Sequence, residues 1–169
     1  MTKDAFLPEG YTPPTAAAGN YLKFKNPATK FRILSSPVIG YEGWTNDNKP
    51  VRFKVQPTSE QLAMLRDQKA KHFWALKVYS YADDDVMLLQ ITQSSIITGI
   101  TALANDEAWG SPLNYDITVN KSGQNMETKY TVVPAPPKQV TEEVLSVVMQ
   151  KADKINLEAL FTNDNPFEG

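Results

Sequence analysis

Hydrophobic and polar residues alternate along several stretches of the chain, and a period of two predicts β-strands. Other stretches carry apolar residues three and four positions apart, which is typical of helices that pack on one side. Strands are predicted over residues 30–44, 51–55, 72–81, 86–91, 115–120 and 127–133. Helices are predicted over residues 60–70, 92–105 and 141–152, with a short further segment over 157–161.

The first predicted strand is long, and Pro37 and Gly40 lie where a bend or bulge is tolerated. Thr58 and Gln61 fit a capping box for the helix near residue 60, and Thr92 is expected to cap the next helix. With the helix near residue 60 set aside, the order is long bent strand, strand, strand, helix, strand, strand. That order predicts a mainly β fold with helices, namely a five-stranded OB-fold barrel with a helix between strands 3 and 4. Other α+β folds share such a pattern.

Changes in composition along the chain predict four parts. Residues 1–20 contain three prolines and no periodicity, so an extended N-terminal arm is expected there. Residues 21–137 form the expected OB-fold domain, and residues 138–161 a C-terminal helical segment. Residues 162–169 are expected to be a flexible acidic tail.

The composition excludes several classes of protein. The 169 residues are 41% hydrophobic and 21% charged, which is ordinary for a globular domain. Cysteine is absent, so disulfides, thiolate metal sites and cysteine nucleophiles are excluded. The beginning of the chain lacks the pattern of a signal peptide, and no apolar run is long enough to cross a bilayer. A cytosolic location is therefore expected.

Charge is segregated along the chain although the net charge is only −2. Residues 20–77 contain 11 Lys and Arg against four acids, which gives 11 − 4 = +7. Residues 78–120 contain six acids and no Lys or Arg. A protein of this kind can present a positive face while it stays acidic overall, although the charges can also simply solvate the surface.

Residues suited to catalysis are few. His72 is the only histidine, so a histidine-rich metal site is excluded and a catalytic triad is disfavoured. Asp83, Asp84 and Asp85 follow one another at a predicted hairpin turn, where a solvated turn is favoured over a cation site. Glycine-rich phosphate loops are missing. We therefore expect no enzymatic activity, no metal and no cofactor.

Aromatic and basic residues interleave on consecutive predicted strands. In strand 72–81, alternation assigns Trp74, Leu76 and Val78 to the core and Phe73, Lys77, Tyr79 and Tyr81 to the opposite face. Single-stranded DNA offers unstacked bases to aromatic rings and phosphates to cations. The predicted DNA-binding residues are Arg32, Tyr41, Trp44, Lys49, Arg52, Phe53, Lys54, Lys71, Phe73, Lys77 and Tyr79.

The end of the chain, NDNPFEG, places acids around one phenylalanine. Asp164, Phe167 and Glu168 are its candidate partner-binding residues. Such a tail can occupy a basic groove when DNA is absent, or offer Phe167 to a pocket on another protein. A terminus that only aids solubility is the alternative interpretation.

Four blocks together resemble the single-stranded DNA-binding proteins of tailed bacteriophages: FRILSSPVIGYEGWTNDNKPVR, KHFWA, LQITQSSI and WGSPLNYDI. The opening FLPEGYTPP…GNYLKF resembles them too, so that the similarity covers nearly the whole chain. The resemblance implies an OB fold, sequence-independent binding and protection of DNA strands in phage replication or recombination, and a C-terminal tail that contacts phage or host replication proteins. It implies a location in the cytoplasm of the infected bacterium. The binding positions that it carries over are Arg32, Tyr41, Trp44, Lys49, Arg52, Lys71, Phe73 and Lys77.

Two alternatives to DNA binding stay open at the level of the sequence. A protein-interaction or phage assembly module would use the same barrel face for a polypeptide partner. A metal-dependent nuclease would be built on Asp83–Asp85, and this hypothesis is the weaker one.

Overall fold

Seven β-strands and three α-helices form the part of the chain, residues 21–167, that the computed structural model describes. The predicted N-terminal arm and Glu168 lie outside these residues. In chain order the elements are β1 (Ala28–Ile33), β2 (Val38–Trp44), β3 (Pro50–Phe53), α1 (Ser59–Ala63), β4 (Lys71–Ser80), β5 (Asp85–Ile91), α2 (Ser94–Ala104), β6 (Asp116–Ser122), β7 (Lys129–Pro134) and α3 (Glu142–Lys151).

The strands form one antiparallel sheet with β4 at its centre. One edge of β4 pairs with β2 and then with β1, and its other edge pairs with β5. Strand β1 also pairs with β6, β6 pairs with β7, and β2 pairs with β3. Within residues 21–167 no pairing joins β7 to β5, so the sheet stays open. The mainly β prediction is confirmed, whereas a closed barrel of five strands is not.

Strands β1 and β2 are two parts of the long strand that the sequence predicts. The backbone amide of Leu34 still donates to Lys77 at 2.8 Å, and Ser35 Oγ then accepts the Lys77 amide at 3.0 Å. Pro37 has no amide hydrogen, so the ladder is interrupted before β2 resumes it at Val38. After the bend, β2 pairs with β3 and with the start of β4.

Helix α1 is shorter than predicted. Its capping box is present, because Thr58 Oγ1 accepts the Gln61 amide and Gln61 Oε1 accepts the Thr58 amide. The helix nevertheless ends at Ala63, and Asp67 and Gln68 adopt positive φ angles that no α-helix contains. Leu65 is buried at this point and bridges to Thr45. Packing of Leu65 under the β2–β3 hairpin therefore takes precedence over helix propensity.

The two faces of β4 are both covered along most of its length. The Trp74 face carries Trp74, Leu76 and Val78, and it packs on the main core together with Ile96 and Ile100 of α2. This part of the predicted core is confirmed. Gln93 rather than Thr92 occupies the position before α2, without a side-chain cap.

The opposite side of the sheet, the Phe73 face, carries Phe73, Ala75 and Lys77 of β4 and Leu88 of β5. It is covered by residues 155–167, which we call the C-terminal cap, and by α3. Ile155, Leu157 and Leu160 of the cap are buried against this face.

Residues 162–165 are exposed, whereas the last two described residues contact the rest of the protein. Pro166 is buried, and its carbonyl accepts the Asn156 amide at 2.7 Å. The ring of Phe167 meets Tyr21 edge-on at 5.4 Å. Between residues 21 and 167, no helix has the length and apolar character needed to cross a membrane.

Candidate nucleic-acid interface

Arg32 is not on the protein surface, contrary to the prediction. Only 5% of the residue is exposed, and Arg32 holds three parts of the chain together. Its guanidinium donates to the carbonyls of Leu113 at 3.2 Å and Lys138 at 2.8 Å. It also lies 3.4 Å from the buried Asp116 carboxylate. Because the guanidinium and the Asp116 carboxylate are both buried and the other two partners are backbone carbonyls, Arg32 acts as a structural cation.

Phe73 and Tyr79 are also buried, so neither ring is available to a base in this conformation. Phe73 has no exposed surface and packs against Phe161 of the C-terminal cap, with 5.9 Å between ring centroids. Tyr79 is 4% exposed, and its hydroxyl donates to Asp84. Alternation assigned both rings correctly to one face, but the sequence pattern did not show that this face is covered.

Burial, together with the hydrogen bond to Asp84, raises the pKa of Tyr79 from 10.0 to about 12. A raised pKa means that the folded state holds the phenol proton more tightly than the unfolded state. The phenol therefore stabilises the fold fully below pH 10, and this contribution is lost as pH rises through about 12. We expect the free energy of unfolding to fall in this window, and to fall less steeply in Tyr79→Phe.

Urea denaturation at a series of alkaline pH values measures this effect, with Tyr41→Phe as the control at a more exposed tyrosine. Identical pH profiles for the native protein and Tyr79→Phe would show that this phenol carries no such linkage.

Arg52 and Lys54 are engaged within the protein. Arg52 forms an ion pair with Glu42 at 2.9 Å and a hydrogen bond to Gln90 at 3.0 Å, and only 13% of its side chain is exposed. Lys54 reaches the cap, where its ammonium lies 2.9 Å from Glu158 and 5.4 Å from the ring of Phe161. Lys77 is half-buried on the same face. Three of the predicted cations, Arg52, Lys54 and Lys77, thus lie on the Phe73 face, which the C-terminal cap covers.

The exposed members of the predicted set gather on the β2–β3 hairpin and the first residues of β4. Trp44 is 45% exposed and stands opposite Pro50 on β3. Lys49 and Lys71 are exposed, and neither forms an ion pair with another residue of the 21–167 range. Lys71 pairs with Glu42, two residues before Trp44. The exposed Trp44 and Lys71 therefore share one face of the sheet, and the exposed Lys49 lies in the adjoining turn.

Local sequence fixes this arrangement. Asn48 adopts a left-handed backbone (φ 64), and Thr45 accepts the Lys49 amide through Oγ1 at 3.1 Å, which together close the hairpin turn. A Cβ on Gly43 would lie 2.5 Å from Leu65 Cδ1. Only glycine allows Leu65 to pack this closely beneath the strand that carries Trp44.

The other side of the same hairpin carries a second group of rings. Tyr41 pairs with Phe53 on β3 and with His72 on β4, and neighbours paired across strands share one face. The rings of Tyr41 and His72 lie 5.3 Å apart, and His72 is exposed. His72 was not among the predicted binding residues, because its position at the start of a predicted strand favoured a boundary or backbone-contact role. We define the hairpin site as Tyr41, Trp44, Lys49, Phe53, Lys71 and His72.

The three consecutive aspartates of the β4–β5 turn have separate partners. Asp83 accepts from Ser80 at 2.7 Å, Asp84 accepts from Tyr79, and Asp85 pairs with Lys151 at 2.9 Å. Across the described part of the chain, no group of three or more acidic or histidine side chains is arranged to hold a metal ion.

Of the tail residues, Asp164 is exposed and Phe167 is half-buried against Tyr21.

Comparisons of the chain with protein-family models, with curated proteins and with solved structures gave no match. Its function is therefore inferred from the residues and their arrangement.

Proposed function

We propose that this protein binds single-stranded DNA without sequence preference through the hairpin site, and that it protects the strand without chemical reaction. One observation carries the proposal: the β2–β3 hairpin and the start of β4 expose the rings of Trp44 and His72 together with Lys49 and Lys71, two lysines that lack ion-pair partners within residues 21–167. The core does not require these exposed rings, whereas a flexible strand of bases and phosphates matches them.

The fold that we propose is an opened OB fold with additions. The bent β1–β2 strand, β4, β5, α2, β6 and β7 follow the order expected of that fold. Strand β3 and helix α1 lie in the connection between its first and second strands. Helix α2 packs on β7, where a Cβ on Gly99 would lie 2.9 Å from Val132. The helix thus closes the core where the sheet itself does not.

Binding at the hairpin site combines two kinds of interaction. Each base that stacks on an aromatic ring contributes ~1–3 kcal/mol, and every base has a face to offer, so the interaction tolerates any sequence. Lysines that neutralise phosphates release counterions, which makes affinity fall with salt at a slope of about −0.7 per contact for single strands. Trp44 with Lys49 and Lys71 supplies both interactions, and Tyr41, Phe53 and His72 add rings on the other side.

The resemblance to phage proteins extends this proposal to the biological setting. We place the protein in the cytoplasm of an infected bacterium, where it would coat strands during replication or recombination. Phage or host replication proteins are its proposed partners, reached through the C-terminal tail.

The C-terminal cap suggests how the end of the chain acts on DNA binding. The Glu158 carboxylate contacts Lys54 where a phosphate could bind, and the Phe161 ring packs on Phe73 at a tilt of 33°. Removal of residues 163–169 deletes the Phe167 contact to Tyr21 and the Pro166 contact to Asn156, which hold the end of the cap. We expect the truncated protein to bind oligo-dT about three- to tenfold more tightly at low salt, because Lys54 becomes available to phosphate.

Fluorescence anisotropy of labelled oligo-dT measures the change. Phe167→Ala in the full chain separates loss of the ring from loss of the tail charges, which Asp164→Asn removes in part. If the truncated protein binds no better than the full chain, the cap does not compete with DNA.

Competition tests the proposed function itself. The protein is bound to labelled oligo-dT, and unlabelled single-stranded DNA of mixed sequence or the corresponding duplex is added. We expect the single strand to displace the label well and the duplex to displace it poorly, because paired bases cannot stack on the hairpin rings. Equal displacement by the duplex would rule out a site built for single strands.

A further inference from the structure

An apolar cleft of about 310 Å³ opens beside the C-terminal half of α2. Its walls are formed by that helix, the bend at Pro37, Trp74 of β4 and the turn at Pro112. No charged side chain lines it. The volume is at the lower end of the range of ligand pockets, roughly 300–1,000 Å³, and suits one or two apolar side chains.

Exposed apolar side chains lie at the edge of the cleft. Leu113, which lines it, is 42% exposed, and Ile39, which pairs with the lining residue Trp74 across the strands, is 50% exposed. Single exposed apolar residues need no explanation, but these two adjoin an apolar cleft and enlarge its apolar surface. Such patches on otherwise polar surfaces mark places where another molecule binds.

The charged residues around the cleft indicate which kind of molecule could bind there. Residues 78–120, which supply α2 and the turn, contain no Lys or Arg. Helix α2 has no basic residue in its last turn, so the negative end of its dipole is not compensated. Asp106 and Glu107 are exposed on the loop that joins the lining residues Ala104 and Ser111. On the other side of the cleft, the Arg32 guanidinium is buried behind Leu113, so it does not reach the surface. Lys138, whose amide donates to Asn114, is the exposed cation on that side, against the two acids of the loop.

We infer that this cleft is a docking site for a polypeptide partner whose apolar side chains are flanked by Lys or Arg. The lining takes the apolar side chains, and Asp106, Glu107 and the end of α2 attract the cations. The same charges repel phosphates, so the site differs in its chemistry from the hairpin site. The inference does not depend on DNA binding.

Two synthetic decapeptides, acetylated and amidated, test it: KKSLSSLSKK and its counterpart EESLSSLSEE. The full chain is labelled with 5-fluorotryptophan, and its three tryptophan signals are assigned with Trp→Phe variants. We expect the lysine peptide to shift the Trp74 signal with a dissociation constant below about 1 mM. The glutamate peptide should bind at least about tenfold more weakly, because like charges face each other.

Variants of α2 locate the site. Ala104→Arg fills the cleft and should abolish the shift of Trp74, whereas Ala102→Arg, exposed on the same helix outside the lining, should leave it unchanged. Asp106→Asn combined with Glu107→Gln keeps the turn but removes two charges. This double variant should bind the lysine peptide about three- to tenfold more weakly.

Three results would overturn the inference. Equal binding of both peptides, or of neither, would remove the charge argument. A shift of Trp74 by oligo-dT that Ala104→Arg abolishes would assign the cleft to nucleic acid. A shift of Trp74 on dilution, without peptide, would assign it to a second copy of the chain. The Trp44 signal reports oligo-dT separately, so failure at the cleft is distinguishable from failure of the proposed function.

Discussion

Trp44→Ala combined with Lys71→Ala is expected to weaken binding to oligo-dT by at least about tenfold, and to leave the fold intact. Loss of the ring removes ~1–3 kcal/mol of stacking per base. Loss of the lysine removes one phosphate contact, so the slope of log affinity against log salt should become shallower by about 0.7. Both side chains are exposed, and substitutions at such positions change stability by about 0.5 kcal/mol or less.

Matched variants separate the two contributions. Trp44→Phe keeps a flat ring and should retain most of the affinity, and Lys138→Ala removes an exposed lysine far from the hairpin in sequence. Anisotropy titrations at several salt concentrations give affinity and slope, and circular dichroism checks the fold. Unchanged affinity in the folded double variant would show that the hairpin is not the binding site.

The second large effect is on stability. Arg32→Ala should lower the free energy of unfolding by about 3–5 kcal/mol, because it leaves the buried Asp116 carboxylate with a reduced set of partners. Tyr81 still donates to Asp116 at 2.6 Å, and Lys30 lies 3.9 Å away, but neither replaces the guanidinium bonds to Leu113 and Lys138.

Urea denaturation measures this loss, with Arg66→Ala as the control at an exposed arginine. If Arg32→Ala keeps the stability of the native protein but loses affinity for oligo-dT, the sequence-based assignment of Arg32 to the DNA face was correct. The structure predicts instead that a folded Arg32→Ala variant loses stability and keeps its affinity for oligo-dT.

The sequence predicted most strands well because alternation and β-branched residues report local structure directly. Strands β4 and β5 lie within one residue of their predicted limits. The long first strand was predicted with its bend at Pro37. Helix α1 was predicted too long, because the packing of Leu65 beneath Gly43 depends on a contact across the hairpin that no local pattern reveals.

The candidate site was predicted only in part, for a different physical reason. Alternation places Phe73, Lys77 and Tyr79 on one face, and the strand register agrees. Whether a face is open depends on which distant segment packs there, and residues 155–167 cover this one. Tyr41 and Phe53 were grouped with Trp44, whereas the register places them on the opposite side of the hairpin, next to His72.

The ion-pair partners of the basic residues could not be predicted from the sequence either. Arg32, Arg52 and Lys71 look alike as basic residues on predicted strands. The structure distinguishes them by their partners: Arg32 has Asp116, Arg52 has Glu42, and Lys71 has no ion-pair partner in the described part of the chain. Such pairings join strands that are far apart in sequence, and of these three residues only Lys71 remains a candidate for phosphate binding.

DNA binding at the hairpin site is tested by tryptophan fluorescence of the native protein during titration with oligo-dT, repeated over a salt series with a duplex control. We expect the single strand to quench Trp44, the quenching to weaken steeply as salt increases, and the duplex to have little effect. No response to any nucleic acid at low salt would contradict DNA binding at the hairpin site.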